Sequence, residues 1–408
     1  MPFDLFSRGI VLQRAAALLL SALLAATAGG YTFNYIVPDM RLSAAQSGGS
    51  ACPVPFRMLT AAASINRQWS TALGASPLTL LTGSQTLAGR LNEIEATILE
   101  SFAVWTGVPG TTLTPASLAP LARTSAQNAC TFDGANSLCF DQSDGAFTPG
   151  VLAFTRVVVA DHLGAQISSS PPATQLGQIL DADVYFNPGD SRTAFATPAA
   201  LAANPSAYDL ESVLTHELGH FLGFSHSAVW RAIMYPFAPP PGTFVGSRPT
   251  AQQPDAPLAE DDRTGLRVLY PDSADTAHTG SIAGRILPAN PLSLPASPSG
   301  VTGIYGAHVV ALDAATGLVV AGVVAGWSCS ASGPAQFDGS FRLERLAVGA
   351  SYKLYAEPLT GPASPSTVTN STATVCRNSS TDPGWPAPFA CVTPTVTTNF
   401  TARIRGTP

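Results

Sequence analysis

From 206 to 223 the chain reads SAYDLESVLTHELGHFLG, in which Leu210, Val213, Leu214, Leu218, Phe221 and Leu222 recur at three- and four-residue steps. That spacing puts them on one stripe and predicts a helix buried along it. Ser206 or Asp209 is placed to cap its start, and Gly223 follows the last apolar residue, where a left-handed terminating turn suits glycine. LNEIEATILESFAVW (91 to 105) carries Leu91, Ile94, Ile98, Leu99, Phe102 and Val104 mostly at helical spacing and predicts a second amphipathic helix. LAEDDRTGLRVLYP (258 to 271) predicts a short third helix stopped by Pro271. VLAFTRVVVA (151 to 160) and ILDADVYFN (179 to 187) are β-branched or alternating runs bounded by Gly and Pro, and predict strands. Prolines from 237 to 257 exclude regular structure there.

From about 279 the texture changes to short runs rich in Val, Thr and Tyr, punctuated by Gly, Pro and Ser: GSIAGRI, GAHVVALDAATG and DGSFRLERLAVGASYKLYAEP. This predicts a separate small all-β sandwich over 281 to 408, joined through a linker at 273 to 280. The preceding unit, 29 to 272, mixes helices and strands, so the expected class is α+β followed by an all-β domain.

Composition changes this picture in three ways. With 46% hydrophobic and 11% charged residues among 408, the chain can bury a sizeable core. Its net charge is −6 and no Lys/Arg run appears, which argues against nucleic acid or an anionic membrane as partner. Arg8 and Arg14 precede AAALLLSALLAA, and Ala26-Thr27-Ala28 follows; residues 1 to 28 read as a secretory signal peptide, too short in its apolar run for the ~20 residues of a bilayer span. No later stretch is apolar enough to insert in a membrane after signal cleavage, so the mature chain is expected outside the cell or in a periplasm. Six cysteines fit that oxidising destination. Cys130 with Cys139, and Cys376 with Cys391, are plausible local pairs, while the full connectivity stays open.

Half of the six histidines fall in one window, HELGHFLGFSH, at 216, 220 and 226. His216 and His220 sit one helical turn apart on a common face and can point at one metal ion. A turn at Gly223 lets His226 approach from another side. Three neutral imidazoles suit zinc and leave a fourth position for water. Glu217, beside His216, can face that water without ligating the metal, take its proton as it attacks a carbonyl, and pass the proton to the leaving amine. Those components are what hydrolysis of a peptide bond needs.

Gly223 and His226 extend the motif to HExxHxxGxxH, and AIMYP follows with Met234 before Tyr235 and Pro236. This resembles the metzincin zinc metallopeptidases. The resemblance implies a zincin-like catalytic domain with a mixed β-sheet and an active-site helix, and a Met234 turn that supports the site without binding zinc. Ser227 after the third histidine, the AIMYP turn, and Asp261, Asp262, Gly265 and Tyr270 in the last helix are similar to the matrixin branch. DADVYFN (181 to 187) resembles the edge strand along which matrixins lay an extended peptide. Asp183 on that strand, with Tyr235 and Pro236, are therefore the candidate substrate-binding residues. The likeness covers roughly 90 to 271.

The chain departs from the matrixin pattern in several places. Cys52, in SACPVPF, does not match the propeptide switch, so latency through a pro-region at 29 to 60 is left open. Outside the motif only His162 precedes residue 271, which implies one zinc and no second, structural one. DGANS, DQSDG and NPGD carry the residue types of calcium turns and fit plain turns better. Phe237 and Ala238 alter the pocket wall that follows Pro236. The C-terminal unit resembles the transthyretin-like or carboxypeptidase regulatory-like sandwich. The expected function is a secreted zinc endopeptidase acting on proteins or peptides; the alternatives are a secreted binding or adhesion protein on a degenerate metallo-fold, and a zinc hydrolase of a non-peptide amide.

Overall fold

The computed structural model describes residues 8–9, 33, 35–36, 54–58, 66–68, 79–113, 130, 132–134, 136–140, 147, 150–168, 171–187, 193–227, 229, 232–243, 256–287, 303, 307–325, 328–330, 333–336 and 338–358. The signal segment lies outside these apart from two residues, as do Cys52, Cys376, Cys391 and most of 29 to 60.

A five-stranded sheet organises the N-terminal unit: β1 (Arg8–Gly9), β2 (Asn66–Gln68), β3 (Ser137–Cys139), β4 (Ala153–Val159) and β5 (Ile179–Phe186), in the order β1-β4-β5-β3-β2. β4 runs antiparallel to β5, and the other pairings are parallel. The expected strands thus form, but β5 lies in the middle of the sheet. It is hydrogen-bonded on both sides and is not the edge strand that DADVYFN suggested. Among the described residues the outer side of β4 is paired where Arg8 and Gly9 lie beside Arg156 and Val157.

The alternation in ILDADVYF predicts one wet face, yet the strand is buried on both. A loop closed by the Cys130–Cys139 disulfide folds over it. Asp181 accepts the N–H groups of Asp133 (2.9 Å) and Gly134 (2.7 Å), Asp183 accepts that of Ser137 (2.9 Å), and the Tyr185 hydroxyl donates to Cys130 O (2.7 Å). Asp183 therefore serves this loop, at 1% exposure, and does not face a substrate groove as its strand suggests. Burial pushes the Asp181 carboxyl up to about 6 and that of Asp183, also facing Asp181, up to about 9. The DGANS turn is spent on these carboxylates.

Helix α1 (Leu87–Thr106) is capped by the Thr86 hydroxyl, which accepts from Gly89 N. It buries Leu91, Ile94, Ile98, Phe102 and Trp105; Leu99, expected on the apolar face, is 40% exposed. The inner face packs against helix α2 (Leu210–Phe221), and the Trp105 indole donates to Thr215 O at 2.8 Å. On its other side α2 lies across β4 and β5. All twelve residues of α2 are buried, so polar side chains on it must find partners within the protein.

Helix α3 (Glu260–Leu269) follows the proline-rich stretch, whose described residues contain neither helix nor strand. In the segment expected as a linker, Ser273–His278 forms a 3₁₀ helix whose first turn is capped by Asp272. It leads into β6 (Thr279–Arg285), followed by β7 (Ala307–Asp313), β8 (Val319–Val324), β9 (Ser340–Ala347) and β10 (Tyr352–Pro358). These pair antiparallel as β6-β9 and as β8-β7-β10. α3 packs against β8 and β9, and one apolar core runs through both units. Among the described residues no helix is long and apolar enough to cross a membrane.

Candidate metal centre

Asp209 caps α2, accepting from Glu211 N at 3.2 Å and from the Ser212 hydroxyl. At the other end Gly223 has φ 108°, and a Cβ there would collide with the Phe56 carbonyl. Only glycine fits both constraints. The helix therefore stops where the sequence predicts, and the chain turns back to deliver His226.

The three histidines converge. His216 Nε2 lies 3.1 Å from His220 Nε2, which lies 3.2 Å from His226 Nε2. A zinc about 2.0–2.1 Å from each nitrogen in tetrahedral geometry needs them roughly 3.3 Å apart, so the spacing fits that ion. The outer nitrogens are fixed by backbone carbonyls: His216 Nδ1 bonds Ile233 O (2.6 Å) and His220 Nδ1 bonds Phe224 O (2.9 Å). Each carbonyl demands a proton on Nδ1 and so turns the Nε2 lone pair inward. Burial, and for His216 the neighbouring imidazoles, hold these rings neutral, with His220 lowered to about 4 and His216 well below its ordinary value. Two inward lone pairs, with His226 Nε2 beside them in a buried site, are a donor set for a cation. Among the described residues this is the one group of three or more such side chains placed to share a metal.

Glu217 is fully buried, and burial pushes its carboxyl up to about 8. Thr155 on β4 donates to Oε2 at 2.6 Å, which pulls the other way. Oε1 is buried and has no hydrogen-bond partner among the described residues. One oxygen is thus anchored and the other is left for a proton donor such as water.

Met234 is fully buried beneath α2: a Cβ on Gly219 would overlap its sulfur and lie 3.0 Å from its Cε and from Trp105 Cζ2. The turn's backbone is tied by Asp262, which accepts from Ile233 N (2.8 Å), Met234 N (3.3 Å) and Ala259 N (3.0 Å). Burial raises this carboxyl to about 7. Since Ile233 O holds His216, Asp262 acts on the metal centre through the turn. Tyr270 ties the end of α2 down, donating to Leu222 O at 2.6 Å and accepting from Met58 N at 2.7 Å. The sequence motifs pointed to Asp262 and Tyr270 without giving them these jobs, and gave no sign of Thr155. Tyr235 and Pro236 are buried directly after the turn, with the Tyr235 ring 5.8 Å from that of Phe237.

Residues 90–271 match the matrixin family of peptidases. Among proteins similar in sequence, metalloendoproteinase 1 of Glycine max is 49% identical over 65 residues, covering 16% of this chain and 18% of that protein. Metalloendoproteinase 1-MMP of Arabidopsis thaliana is 36% identical over 95 residues, covering 21% and 23%, and 2-MMP of the same plant is 35% identical over 101, covering 25% and 22%. The chain thus spans about a fifth of the length of the curated relatives it matches. Residues 90–271 are thus similar to the matrixin family of peptidases, and the three converging histidines and Glu217 lie inside the matched stretch.

Proposed function

We propose that this chain is a secreted endopeptidase with a single zinc, held by His216, His220 and His226, that cuts extended protein or peptide substrates. The observation that carries the proposal is the convergence of three buried imidazoles, two of them neutral and oriented by backbone carbonyls, beside a buried carboxylate with one oxygen that has no partner among the described residues. When bound, zinc supplies a Lewis acid that polarises the scissile carbonyl and acidifies water. Glu217 Oε1 takes the proton of the attacking water and returns it to the leaving nitrogen. Burial away from water raises its pKa, which makes the carboxylate a stronger acceptor for that proton. Thr155 keeps the carboxylate oriented between the two steps.

The outer side of β4, which among the described residues is paired at Arg156 and Val157, is where an extended substrate would lie. Thr155, which touches Glu217, lies on that strand, and its neighbours Arg156 and Val157 accept a strand-like segment of the chain itself. A peptide added there would gain main-chain hydrogen bonds. Tyr235 and Pro236 would wall the pocket beyond the methionine turn. The apolar leader at 1 to 28 supports secretion, the C-terminal strands fit a sandwich appended to the enzyme, and the net charge of −6 favours proteins over nucleic acids as partners. Calcium has no part in the proposed chemistry.

The test is a substrate panel for the purified mature chain: unfolded casein, short peptides and small non-peptide amides, each with and without a chelator. Cleavage of casein that stops on chelation and returns with added zinc is expected. Turnover confined to the small amides, or indifferent to chelation, would overturn the proposal.

A further inference from the structure

Strand β8 is the outer strand of β8-β7-β10, so on one side its N–H groups have no sheet partner among the described residues. On that side Gly322 N donates to Asp261 Oδ1 at 3.1 Å. Asp261 is fully buried, and its Oδ2 accepts the Ser227 hydroxyl at 2.8 Å. Ser227 is the residue after His226. Its hydroxyl oxygen also accepts from Val229 N (3.0 Å), and its own N–H donates to Met234 O (2.7 Å). Beside this relay, Val319 of β8 packs on Val229, Ala232 and Ala259. The C-terminal strand therefore grips the segment between the third histidine and the methionine turn twice, once by hydrogen bonds and once by apolar contact.

We infer that the β8 edge is part of the metal centre's support: Gly322 and Val319 position His226 through Asp261 and Ser227. The C-terminal unit is then a working piece of the catalytic unit and not a detachable attachment. This rests on the zinc assignment above only for its effect on metal affinity; the positioning itself is a property of the metal-free chain. Partners that orient a metal's ligands commonly contribute 10–100-fold in affinity.

Gly322→Pro in the full chain removes the donated N–H at a position where β7 does not need it, which an edge strand can accommodate. Val319→Ser weakens the second contact independently, and serves alone if the proline variant does not fold. Amide exchange at Ser227 and Val229 in metal-free protein should quicken about tenfold in either variant while the amides of α2 keep their wild-type rates. Zinc affinity, read by competition with a chelator, should fall about tenfold. Once Ser227→Ala has broken the relay, Gly322→Pro should add little further loss. Wild-type exchange at Ser227 and Val229 in a folded variant would overturn the inference, as would an equal rise throughout α2, which signals general loosening. A wild-type chain that binds no zinc would refute the zinc assignment, while the exchange rates would still decide the positioning claim.

Discussion

Gly219→Ala is a substitution that would stabilise most helices and should damage this one. In a helix interior alanine is favoured over glycine by about 1 kcal/mol. At Gly219 the new methyl would overlap the Met234 sulfur and crowd Met234 Cε and Trp105 Cζ2 at 3.0 Å. Neither neighbour can simply withdraw: Met234 is fully enclosed with its backbone tied to Asp262 and Ser227, and Trp105 is held by its bond to Thr215 O. Overpacking of this kind costs about 1–3 kcal/mol. The two effects leave a net loss of roughly 0–2 kcal/mol, a lowering of the melting temperature by a few degrees for a unit of this size. Met234→Ala removes the sulfur overlap and leaves only the Trp105 contact, so in that background the loss should shrink or turn into a gain of up to about 1 kcal/mol. Urea melts of the four proteins in this cycle give the numbers. A stabilising Gly219→Ala in the wild-type background would refute the packing of the methionine turn under α2.

Three other outcomes are expected. Thr155→Val removes the hydrogen bond that holds Glu217 in its charged form, so the acidic limb of the kcat/KM profile should move to higher pH and the maximum rate should fall about tenfold. Asp262→Ala strips the acceptor from Ile233, Met234 and Ala259 N–H groups and should cost about 2–4 kcal/mol in chemical denaturation, with weakened zinc retention because His216 loses its fixed carbonyl. Asp183 is raised on folding to about 9, so the folded state holds its proton where the unfolded chain has lost it; the stability it confers is complete below about 4 and is lost as pH rises toward 9. Asp183→Asn should flatten that decline in urea melts between pH 5 and pH 9, and an unchanged slope would rule out this carboxyl as its source.

Helix α2 and its histidines were legible in the sequence because local rules decide them. The 3.6-residue period sets the face, Asp209 the start and Gly223 the end, and four-residue spacing then fixes where His216 and His220 point. Strand order was not legible. DADVYFN reads as a strand from its own residues, but whether it lies at an edge depends on β3 and β4, whose pairing no local pattern encodes. Asp183 reads as a substrate-binding residue for the same reason, since the loop that covers it is supplied by residues 130 to 140. Thr155 stayed hidden because a single buried hydroxyl leaves no periodic trace, and Asp262 was named by its motif without the turn it ties. Leu99 shows the opposite failure: an apolar residue near the helical stripe that points outward.

The central claim is that Glu217 moves the proton while the three histidines alone hold the metal. Zinc content and casein cleavage should be measured side by side for the wild type and for Glu217→Gln, which preserves size and removes the base. One zinc in each protein with cleavage by the wild type alone is the predicted result; a Glu217→Gln protein that cuts casein at the wild-type rate, or a wild type without zinc, would contradict it.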